Sequence, residues 1–135
     1  MVTKAMAVAL LLSTATINVS APASADPAPP PDAPSCVYTL SDPQLMQVGE
    51  TRMVTATIKP FPCFGSIIPN DTRVCLEALG DNVSQECAAG YGAAGARVYQ
   101  LYRPGVTYIV TGRGCGSTAP QGSSCSTVGP ISVTL

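Results

Sequence analysis

Arg52-Met53-Val54-Thr55-Ala56-Thr57-Ile58-Lys59 alternates apolar and polar side chains with a period of two. In an extended chain successive side chains point to opposite faces, so Val54, Ala56 and Ile58 share one face and Thr55, Thr57 and Lys59 the other. The segment predicts a half-buried strand lying over a core. Gly49-Glu50 turns the chain before it, and Pro60 and Pro62, which cannot donate to a sheet ladder, are expected to end it. Upstream, residues 36–40 and 45–48 read as one first strand interrupted at Ser41-Asp42-Pro43. Downstream, residues 73–79, 83–87, 96–102, 106–113 and 130–135 are short runs rich in Val, Ile, Thr and Tyr, separated by Gly, Pro, Asn and Asp. Residues 88–95 contain Gly90, Gly92 and Gly95, each costing about 1 kcal/mol in a helix relative to alanine, and read as a flexible loop. With no long helical periodicity, about seven short strands at this spacing predict an all-β antiparallel sandwich.

Cys36, Cys63, Cys75, Cys87, Cys115 and Cys125 all lie downstream of a cysteine-free amino terminus. In an exported chain of this size such cysteines are structural disulfides before anything else, and no Cys-Xaa-Xaa-Cys redox motif occurs. Hairpin register narrows the pairings. A tip at Gly80-Asp81-Asn82 sets Cys75 opposite Cys87, a turn at Gly49-Glu50 sets Cys36 opposite Cys63, and Cys115 and Cys125 bracket Pro120-Gln121-Gly122. Directly opposed strand positions lie within the Cα separation that a disulfide needs, so sequential pairing is expected, one bridge per hairpin. In the chain-entropy picture each closure stabilises by roughly 3 kcal/mol.

Leu101-Tyr102-Arg103-Pro104-Gly105-Val106-Thr107-Tyr108-Ile109-Val110 resembles the fibronectin type III and wider immunoglobulin-like pattern of Leu, then Pro-Gly, then a Tyr entering the next-to-last strand. The resemblance implies that Tyr108 opens strand F, with its hydroxyl bonded to backbone at the corner between strands E and F. Gly129-Pro130-Ile131-Ser132-Val133-Thr134-Leu135 resembles the last strand of such domains. The chain has no tryptophan for strand C and not the usual single inter-sheet cysteine pair, which separates it from antibody-type domains. The expected fold is therefore an immunoglobulin-like antiparallel β-sandwich of about seven strands, stapled by three disulfides.

Outside that domain, Met1-Val2-Thr3-Lys4 followed by Ala5-Met6-Ala7-Val8-Ala9-Leu10-Leu11-Leu12 has the charged start and short apolar run of a secretory leader. Ala23-Ser24-Ala25 supplies the small residues of a cleavage site, so residues 1–25 are expected to be removed before Asp26. Residues 26–35 carry too many prolines to fold and read as a disordered, polyproline-like tether, leaving 36–135 as the domain. The leader, the Ala-Ser-Ala-Asp-Pro junction and the proline-rich start resemble those of small exported proteins of actinobacteria. A secreted, extracellular monomer without stable membrane insertion is expected. Loss of Lys4 leaves six basic and eight acidic residues, which argues against nucleic acid as partner.

The chain contains no histidine, which removes the Ser-His-Asp triad, the Cys-His pair and histidine metal sites. Lys59 is the only lysine after the leader and sits at a strand end; Asp71, Glu77, Asp81 and Glu86 have no spacing that fixes an acid and base pair. Asp81 belongs to turn chemistry, Asp71 follows Asn70 in another expected turn, and two glycosylation sequons, at Asn70 and Asn82, fall in these turns. No enzymatic activity, cofactor or metal is expected.

Two segments offer a contact surface for an unidentified protein or cell-surface component. Phe61-Pro62-Cys63-Phe64-Gly65-Ser66-Ile67-Ile68-Pro69 is an apolar connection between strands B and C. Its Phe61, Phe64 and Ile67 either fold inward to close one end of the sandwich or stand out as a partner patch. The second is the polar loop 114–125, with Ser117, Gln121 and Ser123 between Cys115 and Cys125. A loop pre-ordered by a disulfide loses less entropy on binding. A non-enzymatic binding module is the leading expectation. The alternatives are a carrier of a small apolar ligand, as among the immunoglobulin-like chromophore-binding proteins of actinobacteria, whose cysteine spacing is not reproduced here, and a protease inhibitor using the Cys115 to Cys125 loop.

Overall fold

Residues 33–120 and 122–135 are described by the computed structural model; the expected leader 1–25, the tether up to residue 32, and Gln121 lie outside the described residues. The chain forms β1 (Ser35–Leu40), β2 (Gln44–Val48), β3 (Thr51–Phe64), β4 (Ile67–Leu79), β5 (Ser84–Tyr91), a single 3-10 turn (Gly92–Ala94), β6 (Ala96–Leu101), β7 (Thr107–Thr118) and β8 (Gly122–Thr134). One sheet has β1 and β2 along one side of β3 and β6 along the other; the second has the order β5-β4-β7-β8. All pairings are antiparallel. Since β1 and β2 share one side of β3, they are a single interrupted first strand, and the frame is a seven-strand immunoglobulin-like sandwich.

The break at Ser41-Asp42-Pro43 shifts register. Gln44 opposes Thr55 while Leu40 opposes Ile58, so the first strand carries one extra residue there. Between Tyr38 opposite Pro60 and Cys36 opposite Cys63 the extra residue falls on β3 instead, and the two irregularities cancel. Cys36 thus still meets Cys63, as Cys75 meets Cys87 and Cys115 meets Cys125, and these are the three disulfides, each joining directly opposed residues of neighbouring strands.

Strand β3 does not end at Pro60 as the sequence led us to expect. Its pairing with β6 stops at Ile58 opposite Ala96, and beyond that point only β1 lies beside it. A proline lacking an N–H is tolerated on a strand with one side unpaired. Residues 88–95 are likewise not a loop: 88–91 complete β5, and the glycines serve close approach. A Cβ at Gly90 would lie 1.8 Å from the Gly95 carbonyl oxygen, and one at Gly95, whose φ is +72°, would lie 2.0 Å from that of Ile58. The chain crosses here from one sheet to the other with backbone against backbone.

The alternation of residues 52–59 holds: Val54, Ala56 and Ile58 are fully buried against Val74, Leu76 and Ala78 of β4 and Tyr108 and Val110 of β7. Tyr108 closes one end of this core. Its hydroxyl donates to the Leu101 carbonyl at 3.1 Å and accepts from the Arg103 amide at 2.8 Å, the tyrosine corner that the resemblance implied. Further along β7 the inward positions are glycines. A Cβ at Gly112 would stand 2.7 Å from Ile58 Cδ1, and one at Gly114 would stand 2.0 Å from the ring of Tyr38, so side chains of the opposite sheet rest on bare backbone.

Removing the corner hydroxyl with Tyr108→Phe leaves the Leu101 carbonyl and the Arg103 amide without their partner. Urea denaturation is expected to show a loss of about 1–3 kcal/mol with the fold retained. Gly114→Ala drives a methyl into the Tyr38 ring and is expected to cost about 1–3 kcal/mol. Gly80→Ala, where the nearest atom is a Val106 methyl at 3.9 Å, is the matched control and stays within about 0.5 kcal/mol.

Candidate functional site

Both segments singled out in the sequence lie at the same pole of the sandwich. The connection from β3 to β4 takes only Gly65 and Ser66, with Gly65 at φ +74° and Pro34 packed against it, so the chain leaves one sheet and enters the other in two residues. Phe64 stays in the first sheet opposite Ser35, whereas Ile67 and Ile68 already pair with Thr118 and Ser117 of β7. The expected polar loop 114–125 is thus a paired extension of β7 and β8, with Ser117 opposite Ser123 and a turn at Ala119-Pro120. Its backbone groups are met by the ladder, and the Cys115–Cys125 bridge ties the strands beneath the tip.

Of the three apolar residues proposed for this pole, the structure separates one from the other two. Ile67 points inward onto Gly116, where a Cβ would lie 2.8 Å from it. Phe61 and Phe64 are 75% and 56% exposed, and the neighbouring Ile68 is 70% exposed. Val37, also exposed, sits at the β1 irregularity opposite Phe61 and Pro62. A hollow of about 300 Å³ opens between residues 65–68 and 117–119. Asn70 Nδ2 donates to Ser117 Oγ across its rim, and Ser123 is exposed beside it; Gln121 lies outside the described residues. Residues 60–70 and 114–135 include no charged side chain, so the groups they present at this pole are apolar or neutral and polar.

Asn70, Asp71 and Thr72 are not in a turn: extension of β4 to Ile67 along β7 puts them in the strand, with Thr72 buried. The carboxylates are not brought together either. Glu77 opposes Gln85 and Glu86 opposes Leu76, so the two glutamates point to opposite faces of the sheet, and Asp81 lies in the bend after β4. Among the described residues no three His, Cys, Asp or Glu side chains are grouped to hold a metal ion, and no helix is long and apolar enough to cross a membrane.

One apolar region escaped the sequence reading. Met46, Met53 and Leu101 oppose one another across three strands on the outer face of the first sheet, at the end remote from Phe61. Val48, Tyr99 and Leu101 are exposed there. The signal was Met53, an apolar residue heading the otherwise polar face of the 52–59 strand.

Comparison with protein families, with curated proteins and with solved structures finds no match to this chain.

Beneath the pole, the Tyr38 hydroxyl is buried with no hydrogen-bond partner among the described residues. Burial first, and the negative charge of Asp71 second, hold its pKa above the ordinary phenol value of 10.0. As pH rises past that value the unfolded chain releases this proton and the native protein does not, so stability falls with pH. Tyr38→Phe is expected to raise stability by about 1 kcal/mol at neutral pH and to soften the alkaline loss, as read from unfolding midpoints on either side of the phenol range.

Proposed function

We propose that this chain is an exported, non-enzymatic contact module that binds another protein or a cell-surface component through the pole formed by Phe61, Phe64, Ile68 and the β7–β8 hairpin. The observation that carries this reading is the exposure of three large apolar side chains within eight residues of sequence on a rigid support, with Ile68 lining a hollow. Large apolar side chains left exposed at one end of a small domain are candidates for contact with a partner. The support is rigid because Cys36–Cys63 and Cys115–Cys125 tie the strands on both sides of the pole. Little conformational entropy is then lost on docking. Three intrachain disulfides fit an oxidising, extracellular setting, and secretion through the leader accounts for them.

A photo-crosslinking residue placed at position 61 or 68 in the producing cell tests the reading, with position 83, exposed at the far end of the molecule, as control. The same crosslinked species is expected from positions 61 and 68 and not from 83, and Phe64→Ser should abolish it. Yields at 61 and 68 no higher than at 83 would count against the pole. Phe64→Ser changes an exposed side chain and should shift unfolding by no more than about 0.5 kcal/mol, which separates lost contact from lost fold.

A further inference from the structure

Strand β6 is the edge of the first sheet and, among the described residues, pairs with β3 alone. The Tyr102 amide donates to the Arg52 carbonyl at 3.1 Å, which fixes the alternation of the antiparallel ladder. Gln100, Val98 and Ala96 turn their backbone groups to β3, and Arg97, Tyr99 and Leu101 turn theirs away. The Leu101 carbonyl is taken by the Tyr108 hydroxyl. The N–H and C=O of Arg97 and Tyr99 and the N–H of Leu101 have no hydrogen-bond partner among the described residues.

This unpaired edge is one wall of a groove of about 530 Å³, whose other wall is Ser84 and Glu86 of β5. Gln100, only 7% exposed, lines it; its Nε2 donates to the Ser84 carbonyl at 3.1 Å and hydroxyl at 2.7 Å, while its Oε1 is enclosed without a partner among the described residues. The acceptor that this wall opens to an incoming donor is the carboxylate of Glu86, an exposed residue. On the outer face beside the edge, Met53 and Tyr99 line both the groove and a second hollow of about 440 Å³ shared with Val48 and Thr51, while Arg103 also lines the groove and Arg97 is exposed further along β6.

We propose that this groove binds an extended peptide segment of a partner protein, which adds to β6 as a further strand. The occupant follows from the chemistry of the wall: a row of alternating backbone donors and acceptors is matched by another backbone. Side chains of an added strand alternate between two surroundings. One set lies on the outer face beside Met53, Tyr99 and Leu101 and is apolar; the other faces Ser84, Glu86 and Gln100 and carries hydrogen-bond donors. The other edges are less open to addition. The β1–β2 edge is interrupted at Pro43, β8 contains Pro130, and β5 supplies the groove's second wall.

The test pans random dodecapeptides displayed on phage against the full folded chain, then follows amide exchange while the best synthetic peptide is added. The expected result is slowed exchange at Tyr99 and Leu101 and a sequence that alternates apolar with donor-bearing residues. Tyr99→Pro removes an outward N–H and no ladder bond, so it should weaken binding by about tenfold or more. Where that variant fails to keep its circular dichroism, Leu101→Lys, which sets a charge on the edge, carries the same expectation. Recovery of no binder, equal binding to the variants, or protection confined to Ile68 and residues 117–118 overturns the groove; the last outcome leaves the contact surface at the Phe61, Phe64 and Ile68 pole standing, so the two readings fail separately.

Discussion

Along the upper half of β7 the two sheets meet side chain to backbone. Facing sheets ordinarily stand about 10 Å apart with interleaved side chains from both. Here Tyr108 and Val110 fill that space at one end, but Gly112 and Gly114 leave β7 bare at the other, and Ile58 and Tyr38 of the first sheet lie directly on it, while Ile67 of the neighbouring β4 covers Gly116. The core is thus asymmetric along β7: both sheets supply side chains around Tyr108 and Val110, whereas at the glycine end the first sheet supplies the volume and β7 the floor. With two phenylalanines and no tryptophan in the chain, this close approach lets two tyrosines, Tyr38 and Tyr108, and aliphatic residues fill the interior. It also explains why the Tyr38 hydroxyl is unpaired, since a glycine floor offers it no side-chain partner.

The disulfides answer a different need. None spans the two sheets; each joins adjacent strands of one sheet, so together they fix register instead of clamping the layers. Register is the weak point of this chain. Its first strand is broken at Pro43, β3 carries Pro60 and Pro62, and glycines occupy inward positions that would otherwise specify pairing by their side chains. A one-residue slip in β7 would carry Tyr108 and Val110 to the solvent face and place bulky side chains over the Tyr38 ring. Cys115–Cys125 fixes β7 against β8 by covalent means, and Cys75–Cys87 does the same for β4 against β5.

Much of this was legible because it is local or depends on symmetry about a turn. The two-residue period of 52–59 gave the buried face, and hairpin symmetry gave all three cysteine pairs. The Leu-Pro-Gly-Tyr pattern at 101–108 gave the corner at Tyr108. What was not legible depends on partners far away in the chain. Gly90 and Gly95 read as flexible because their reason, contact with one another and with the Ile58 carbonyl, exists only once β3 and β6 are side by side. Pro60 read as a strand end because nothing local says that β6 stops at Ala96 and frees that side of β3. For the candidate pole, the sequence found the right segments but could not decide which side chains turn outward. That depends on the two-residue crossing at Gly65-Ser66, which keeps Phe64 in one sheet and sets Ile67 into the other.

The geometry of β3 separates the two apolar regions. Met53 and Phe61 lie eight positions apart on that strand, about 26 Å at 3.3 Å per residue. A partner seated on Phe61, Phe64 and Ile68 therefore leaves Met53, Tyr99 and the β6 edge clear. The two surfaces also differ in kind. The pole presents side chains on a paired and disulfide-tied backbone, so its backbone has little left to offer a partner. The β6 edge presents backbone groups beside a polar wall, and a chain that adds there must be extended. Conformational coupling between them would have to pass through β3, whose residues Val54, Ala56 and Ile58 are fully buried and packed on both β4 and β7. A strand held in that way has no second arrangement to move into, which makes the two surfaces independent: occupation of one leaves affinity at the other unchanged.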